Sequence, residues 1–543
     1  MTHGPSPSGA PPSAPSRAGT LVVVVPSIRD DHTRWEPLIA RLQTLPGYAP
    51  GEADWARVRH GAGRLARGPA STYARTVGAR IHERWVANEG YDRVVLVGHS
   101  LGGLLVRLAY LRALGAFKAA DARPWAAAVD RIILFASLNR GIPPRFERRW
   151  WLPLAAWAAR VVPGLRRWIV RDLLAGSEFI TNIRITWIRA VNAMDHPPSV
   201  VQFLGSEDGL VHADDSRDID AFPTGRQEEV AGADHADIIR LDRADDPDAR
   251  FALFATAFTE PRSTTPVPEL GDPAQTVVLV LHGIRADNRT WVADICRYIE
   301  QTWPGTVAVR ATYGRFSARK FALPATRRRY LGWLQDTYAE QLAANPRATF
   351  QFIGHSNGTY LLGHSLDRVE SMRFDRLFLA GSVLPTTYDW RARFRAGQVR
   401  QLRNDRSARD VPVGVLCSAL RGLGMRDIGT GGVDGFLGFD DAAKLEVAYY
   451  AGGHSAALGP DNLARIARFV MQGVDQEPDG LARVQPTGFA LLSRAAPWLG
   501  RLAAVGVVAA AAAFVAGGPW GVVTNALVAV AVAGVAFVVA DLV

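Results

Sequence analysis

Cysteine is scarce: Cys296 and Cys417 are the only two in 543 residues. They lie far apart, with no metal-ligand spacing around them, which excludes a disulfide-stapled domain and a cysteine-built zinc site. Both read as reduced core residues. Lysine is nearly missing, with Lys118, Lys320 and Lys444 alone, so arginine carries the net charge of +10. Those arginines are spread along the chain without a nucleic-acid-binding motif, so no nucleic-acid partner is expected. The first 20 residues are rich in Pro, Ser, Gly and Ala and have no apolar stretch. They read as a disordered leader and not as a secretory signal.

Charge is also missing near the other end, from Leu502 to Ala540. A soluble helix normally keeps one polar face, and this run has none. Gly517-Gly518-Pro519-Trp520-Gly521 divides it into two pieces of roughly membrane-spanning length. A C-terminal transmembrane helical hairpin over residues 501–543 is therefore expected, with the lipid bilayer as a partner. Arg494 and Arg501 flank the run and the turn carries no charge, which leaves both large domains and the C-terminus on the cytoplasmic side.

What the chain does have is one short pattern, twice. Gly98-His99-Ser100-Leu101-Gly102 follows a strand-like run, Arg93–Val97, and precedes a helical pattern. Gly354-His355-Ser356-Asn357-Gly358 follows Ala348–Ile353 and again precedes a helical pattern. A G-x-S-x-G between strand and helix puts the serine on a tight turn with its hydroxyl exposed. The repeat extends further. Leu21–Val25 runs into Pro26-Ser27-Ile28-Arg29 and on to Trp35, while Thr276–Leu281 runs into His282-Gly283-Ile284-Arg285 and on to Trp291. Trp35 to Trp291 and Ser100 to Ser356 are the same 256 residues apart, as an internal duplication produces. We read a first domain over 21–260, a linker over 261–273, a second domain over 274–475 and a juxtamembrane stretch over 476–500. Apolar strands alternating with helices, such as Arg131–Ala136 and Arg376–Gly381, indicate a mostly parallel α/β sheet covered on both faces. The first half also carries an insert, about 142–198, in which Trp150, Trp151, Trp157 and Trp168 are interleaved with arginines. It suits a lid over an oily pocket, a cap helix, or a segment at a membrane surface.

A serine hydroxyl becomes a nucleophile when a base takes its proton and a carboxylate orients that base. The first half offers Ser100, then Asp208 on the turn after Ser199–Leu204, then His235 after Gln227–Ala231. Asp214 and Asp215 compete for the acid. The second half offers Ser356 and His454, with two acids: Asp410, before Val-Pro-Val, and Asp405, nearer the end of the strand-like Gln398–Arg403. The D-x-V turn favours Asp410. Two backbone amides would stabilise the oxyanion, those of Leu101 and Ile28 in the first half and of Asn357 and Ile284 in the second. Pro26-Ser27 stands where the second half has His282-Gly283, a departure that makes the first half the suspect for a degenerate partner.

With these residues the chain resembles the α/β-hydrolase superfamily in its lipase and serine-esterase branch. Gly98–Gly103 is similar to the lipase elbow and Gly205–Val211 to the lipase acid turn. Leu138-Asn139-Arg140-Gly141 is imperfectly similar to the T-P-H-x-G segment of triacylglycerol-lipase-like and PGAP1-like esterases. The resemblance implies two tandem α/β-hydrolase domains, each with an eight-stranded sheet carrying Ser, Asp and His at the C-terminal ends of strands. It implies ester cleavage on lipid or acyl-ester substrates, with no metal or organic cofactor required. Acyl transfer, or one domain retained as a binding module, are the alternatives.

Overall fold

The computed structural model describes residues 19–28, 32–63, 66, 68–142, 169–211, 225–261, 275–283, 291–311, 318–437, 444–474, 481–482 and 484–515. The chain divides into two compact units, Met1–Glu269 and Leu270–Val543.

The first unit is built on one parallel sheet. Its strands are β1 (Thr20–Val25), β2 (Ala53–Arg57), β3 (Arg93–His99), β4 (Val129–Phe135), β5 (Ser199–Gly205) and β6 (Gly225–Val230), in the order β2-β1-β3-β4-β5-β6. The second unit repeats the plan with β7 (Thr276–Leu281), β8 (Thr306–Ala311), β9 (Thr349–His355), β10 (Phe374–Ala380), β11 (Val399–Ser407) and β12 (Lys444–Tyr450), ordered β12-β11-β10-β9-β7-β8. Every pairing is parallel. Six described strands stand in each sheet where the resemblance implied eight.

Composition explains the layering. Leu21–Val25 and Val277–Leu281 are fully buried, as β-branched strands covered on both faces must be. Each such side chain contributes roughly 1.5–3 kcal/mol relative to exposure. In the first unit Trp35, Phe135, Phe203 and Phe254 meet edge-on or stacked at 4.9–5.7 Å between rings, filling one face of the sheet.

The same fastening closes both units. Arg131 on β4 is buried and donates to the carbonyls of Ala257 (2.9 Å), Phe258 (2.7 Å) and Glu260 (3.2 Å), at the end of helix Pro247–Thr259. Arg376 holds the matching place on β10 and donates to Val470 (3.1 Å) and Met471 (3.2 Å), at the end of helix Pro460–Gln472. A guanidinium satisfies orphan carbonyls there and meets the negative end of the helix dipole.

The expected hairpin receives no support from the fold. Among the described residues no helix is long and apolar enough to cross a membrane. The last described helix is Thr487–Val515, and the second half of the uncharged run, from 516, lies outside the described residues. The leader over 1–18, the Trp/Arg stretch over 143–168 and the linker over 262–274 lie outside them too.

Candidate active sites

Both elbows have the backbone that the pattern demands. Ser100 sits at φ 53°, ψ −118°, and Ser356 at φ 52°, ψ −121°, in a region that non-glycine residues avoid. Such a conformation costs on the order of 1–3 kcal/mol and persists only where neighbours enforce it. They do: the amide of Ser100 donates to Phe135 at 2.9 Å, and that of Ser356 to Ala380 at 3.1 Å. Tight packing leaves no room for side chains. A Cβ at Gly98 would lie 2.5 Å from Gly103 Cα, and one at Gly102 would lie 2.2 Å from the Val25 carbonyl oxygen.

In the first unit three side chains form a row. His235 Nε2 is 2.8 Å from Ser100 Oγ, and His235 Nδ1 is 2.9 Å from Asp208 Oδ2. Asp208 is buried and also accepts the amides of Leu210 (2.7 Å) and Val211 (3.0 Å). Burial works to raise its carboxyl; the hydrogen bond and charge of His235, with the two amides, outweigh it and hold the group below its ordinary range. With Asp208 ionised, Nδ1 of His235 carries the proton and Nε2 is left to accept the serine proton. Asp214 and Asp215 fall outside the described residues.

In the second unit the acid and base meet: His454 Nδ1 is 2.8 Å and 2.9 Å from the two oxygens of Asp410. Asp405 is elsewhere, because β11 runs on to Ser407 and carries it into the sheet. There Arg403 donates to it at 2.8 Å and Tyr450 at 2.7 Å, all three buried. Among the described residues no hydrogen bond joins His454 to Ser356, and Ser356 is only 4% exposed. Ser100 is more open.

A second pair of histidines, which the sequence reading passed over, backs the bases. Nε2 of His99 lies 2.7 Å from the His235 carbonyl, and Nε2 of His355 lies 3.3 Å from the His454 carbonyl. Burial, then the adjacent His235, pushes His99 down to about 3; burial, then His454, holds His355 well below the ordinary imidazole range. Each ring is therefore neutral and donates to the backbone of the base. Trp35 meets His99 edge-on at 6.4 Å, and Trp291 meets His355 edge-on at 6.2 Å. The signal was in the motif itself, as the x before each serine.

The side where the sequence placed the oxyanion amides differs between the units. Leu101 and Asn357 each open the elbow helix, where an N–H has no partner within the helix. Ile28 is half-buried, and Ile284 lies outside the described residues. His282 Nδ1 is 2.6 Å from the carbonyl of Gly283, and a Cβ at Gly283 would lie 2.5 Å from Ser356 Cβ. The first unit has a side chain at that place, Ser27, so its loop cannot copy this approach. Instead, buried His60 reaches in after β2. Its Nε2 lies 3.2 Å from both the Pro26 and the Ser27 carbonyls, while its Nδ1 accepts the amide of Ala62 at 3.0 Å. That acceptance fixes the tautomer with the proton on Nε2.

No group of metal-ligating side chains occurs among the described residues. A cavity of about 710 Å³ in the first unit, lined by His32, Arg57 and Arg80 among others, takes in none of the serine-site residues.

The sequence matches no protein-family profile and no curated protein. Solved structures with similar coordinates include a peroxisomal α/β-hydrolase from Saccharomyces cerevisiae, at 13% identity over 47% of this chain and 82% of that one, TM-score 0.30. A thermostable esterase from Pseudomonas putida gives 17% identity over 46% and 75%, TM-score 0.30. A hyperthermophilic esterase from the archaeon Pyrobaculum calidifontis gives 13% identity over 45% and 76%, TM-score 0.30.

Proposed function

We propose that the chain is a serine hydrolase that cleaves carboxylic esters, with the first unit as its working site. One observation carries this reading: the unbroken row Ser100–His235–Asp208, with steps of 2.8 Å and 2.9 Å. Ser100 Oγ attacks the ester carbonyl as His235 takes its proton. The tetrahedral oxyanion rests on the amides of Leu101 and Ile28. Collapse expels the alcohol, protonated by His235, and leaves an acyl-serine. Water, deprotonated by His235, then releases the acid. Asp208 orients the imidazole and stays ionised throughout. His454, Asp410 and Ser356, with the amides of Asn357 and Ile284, make the corresponding second set.

The sequence made the first unit the suspect for lost activity, through Pro26-Ser27. The geometry favours the opposite assignment as the second reading: the second unit is the weaker site, because Ser356 is enclosed and not bonded to His454. The uncharged run from Leu502 to Ala540 supports membrane attachment, with both units on the cytoplasmic side and a lipid or acyl ester as substrate.

Fluorophosphonate labelling followed by peptide mass spectrometry tests these statements. The Ser100 peptide should label faster than the Ser356 peptide, and Ser100→Ala should remove most of the signal. Undiminished labelling in Ser100→Ala refutes the assignment. Product analysis with added alcohols separates hydrolysis from acyl transfer.

A further inference from the structure

The C-terminal helix Thr487–Val515 turns most of its large apolar side chains away from the protein. It packs on helix Ser418–Gly422 and on the π-helical turn Pro412–Cys417. Phe489, whose ring abuts Gly414, is the large side chain on the face it turns inward; the rest of that face is small. Ser493 Oγ donates to the Gly414 carbonyl at 2.8 Å, Ala496 is buried, and a Cβ at Gly500 would come within 2.6 Å of the Ala419 carbonyl oxygen.

The face it turns outward is large. Leu491, Trp498, Leu499, Leu502 and Val505 are 61%, 64%, 52%, 67% and 66% exposed. Leu491, Trp498, Leu502 and Val505 follow one another at helical spacing and form a single stripe. The helix contains no acidic residue. Arg494 and Arg501 are exposed on it, and the Arg501 guanidinium lies 4.6 Å from the Trp498 ring centre. Beside the stripe, Arg501 donates to the Gly422 carbonyl, next to exposed Arg421 and Leu423, with exposed Arg426 close by in sequence.

A tryptophan-bearing apolar stripe bordered only by cations fits the surface of an anionic bilayer, where acyl chains take the stripe and headgroup phosphates take the arginines. We propose that helix Thr487–Val515 lies on such a surface through Leu491, Trp498, Leu502 and Val505. This deepens the membrane reading given above and rests on it.

The test uses the full chain carrying Leu502→Cys labelled with an environment-sensitive fluorophore, NBD. The native thiols are spared: both are buried, and burial pushes Cys296 up to about 12 and Cys417 further. Val86→Cys, exposed on the first unit, is the control. Samples are mixed with phosphatidylcholine vesicles, with or without phosphatidylglycerol, and floated on a density gradient. With anionic vesicles the chain should float, and emission at 502 should move to the blue and rise several-fold, with no change at 86. Flotation without a change at 502 leaves membrane attachment standing and overturns the helix surface. Absence of flotation overturns both. A blue shift that needs concentrated protein and no vesicles assigns the stripe to a second copy of the chain and overturns the lipid.

Discussion

Replacing His60 tests whether the first unit has found its own way to hold the oxyanion loop. A peptide C=O and the N–H that follows it point in opposite directions. A Ser27 carbonyl held toward His60 therefore turns the amide of Ile28 to the other side. The residue matching Ser27 in the second unit, Gly283, adjoins Ser356: a Cβ there would come 3.0 Å from Ser356 Oγ. Complete loss of an oxyanion donor costs about 2.7–4 kcal/mol, or 10²–10³ in kcat. His60 divides one N–H between two carbonyls at 3.2 Å, so it holds the peptide only in part. Taking half of that free energy, His60→Ala should lower kcat by roughly ten- to thirtyfold. Stability should fall by about 1–3 kcal/mol, because the Ala62 amide also loses its buried acceptor. The assay is p-nitrophenyl ester hydrolysis in a Ser356→Ala background, which silences the second serine, with thermal unfolding as the check on folding. His60→Gln, which can still donate, should recover most of kcat. A folded His60→Ala that raises KM and leaves kcat alone, or a His60→Gln no better than alanine, refutes the reasoning.

Three further outcomes are expected. Asp410→Asn should abolish fluorophosphonate labelling at Ser356 and barely move the melting temperature. Asp405→Asn should destabilise the second unit by about 3–5 kcal/mol, since it removes the charge that buried Arg403 meets at 2.8 Å; equal effects on melting would contradict the separation of roles. His99 gives a pH dependence. Its folded value, about 3, lies below the ordinary 6.5, so the unfolded chain binds the extra proton and stability falls as pH drops from 6.5 toward 3. The upper limit of that loss is on the order of 4–5 kcal/mol. Chemical denaturation of His99→Gln between pH 6 and 4 should show a shallower fall than the parent; parallel curves would show that the ring is not held neutral.

The elements closest to the chemistry were legible in the sequence because strict local demands write them there. A serine at φ near 50° between glycines, after a run such as Arg93–Val97, leaves few foldings open, and the repeat at 256 residues removed most of the ambiguity. Asp405 and Asp410 lie five residues apart after one strand-like run, and only the D-x-V turn spoke for Asp410. What distinguishes them is how far β11 extends, and that depends on Arg403 and Tyr450 meeting Asp405 inside the sheet. His60 was not legible at all: it lies 34 residues from the carbonyl it holds, and no local pattern marks the pair. The eight strands came from the resemblance alone, and the described sheets stop at six. Of the outward stripe of the last helix, Leu502 and Val505 were read only as part of an uncharged run and Leu491 and Trp498 as juxtamembrane, because sequence does not tell which face packs.

The arginine that grips the end of each unit has a consequence for synthesis. Everything that Arg131 fastens, from β1 to the last turn of helix Pro247–Thr259 and the carbonyl of Glu260, is complete at residue 260. A ribosome emits roughly 5–20 residues per second, so the first sheet can be latched shut some tens of seconds before the tail leaves the exit tunnel. The nascent N-terminal half then meets the cell as a finished body, while its sister is still being translated.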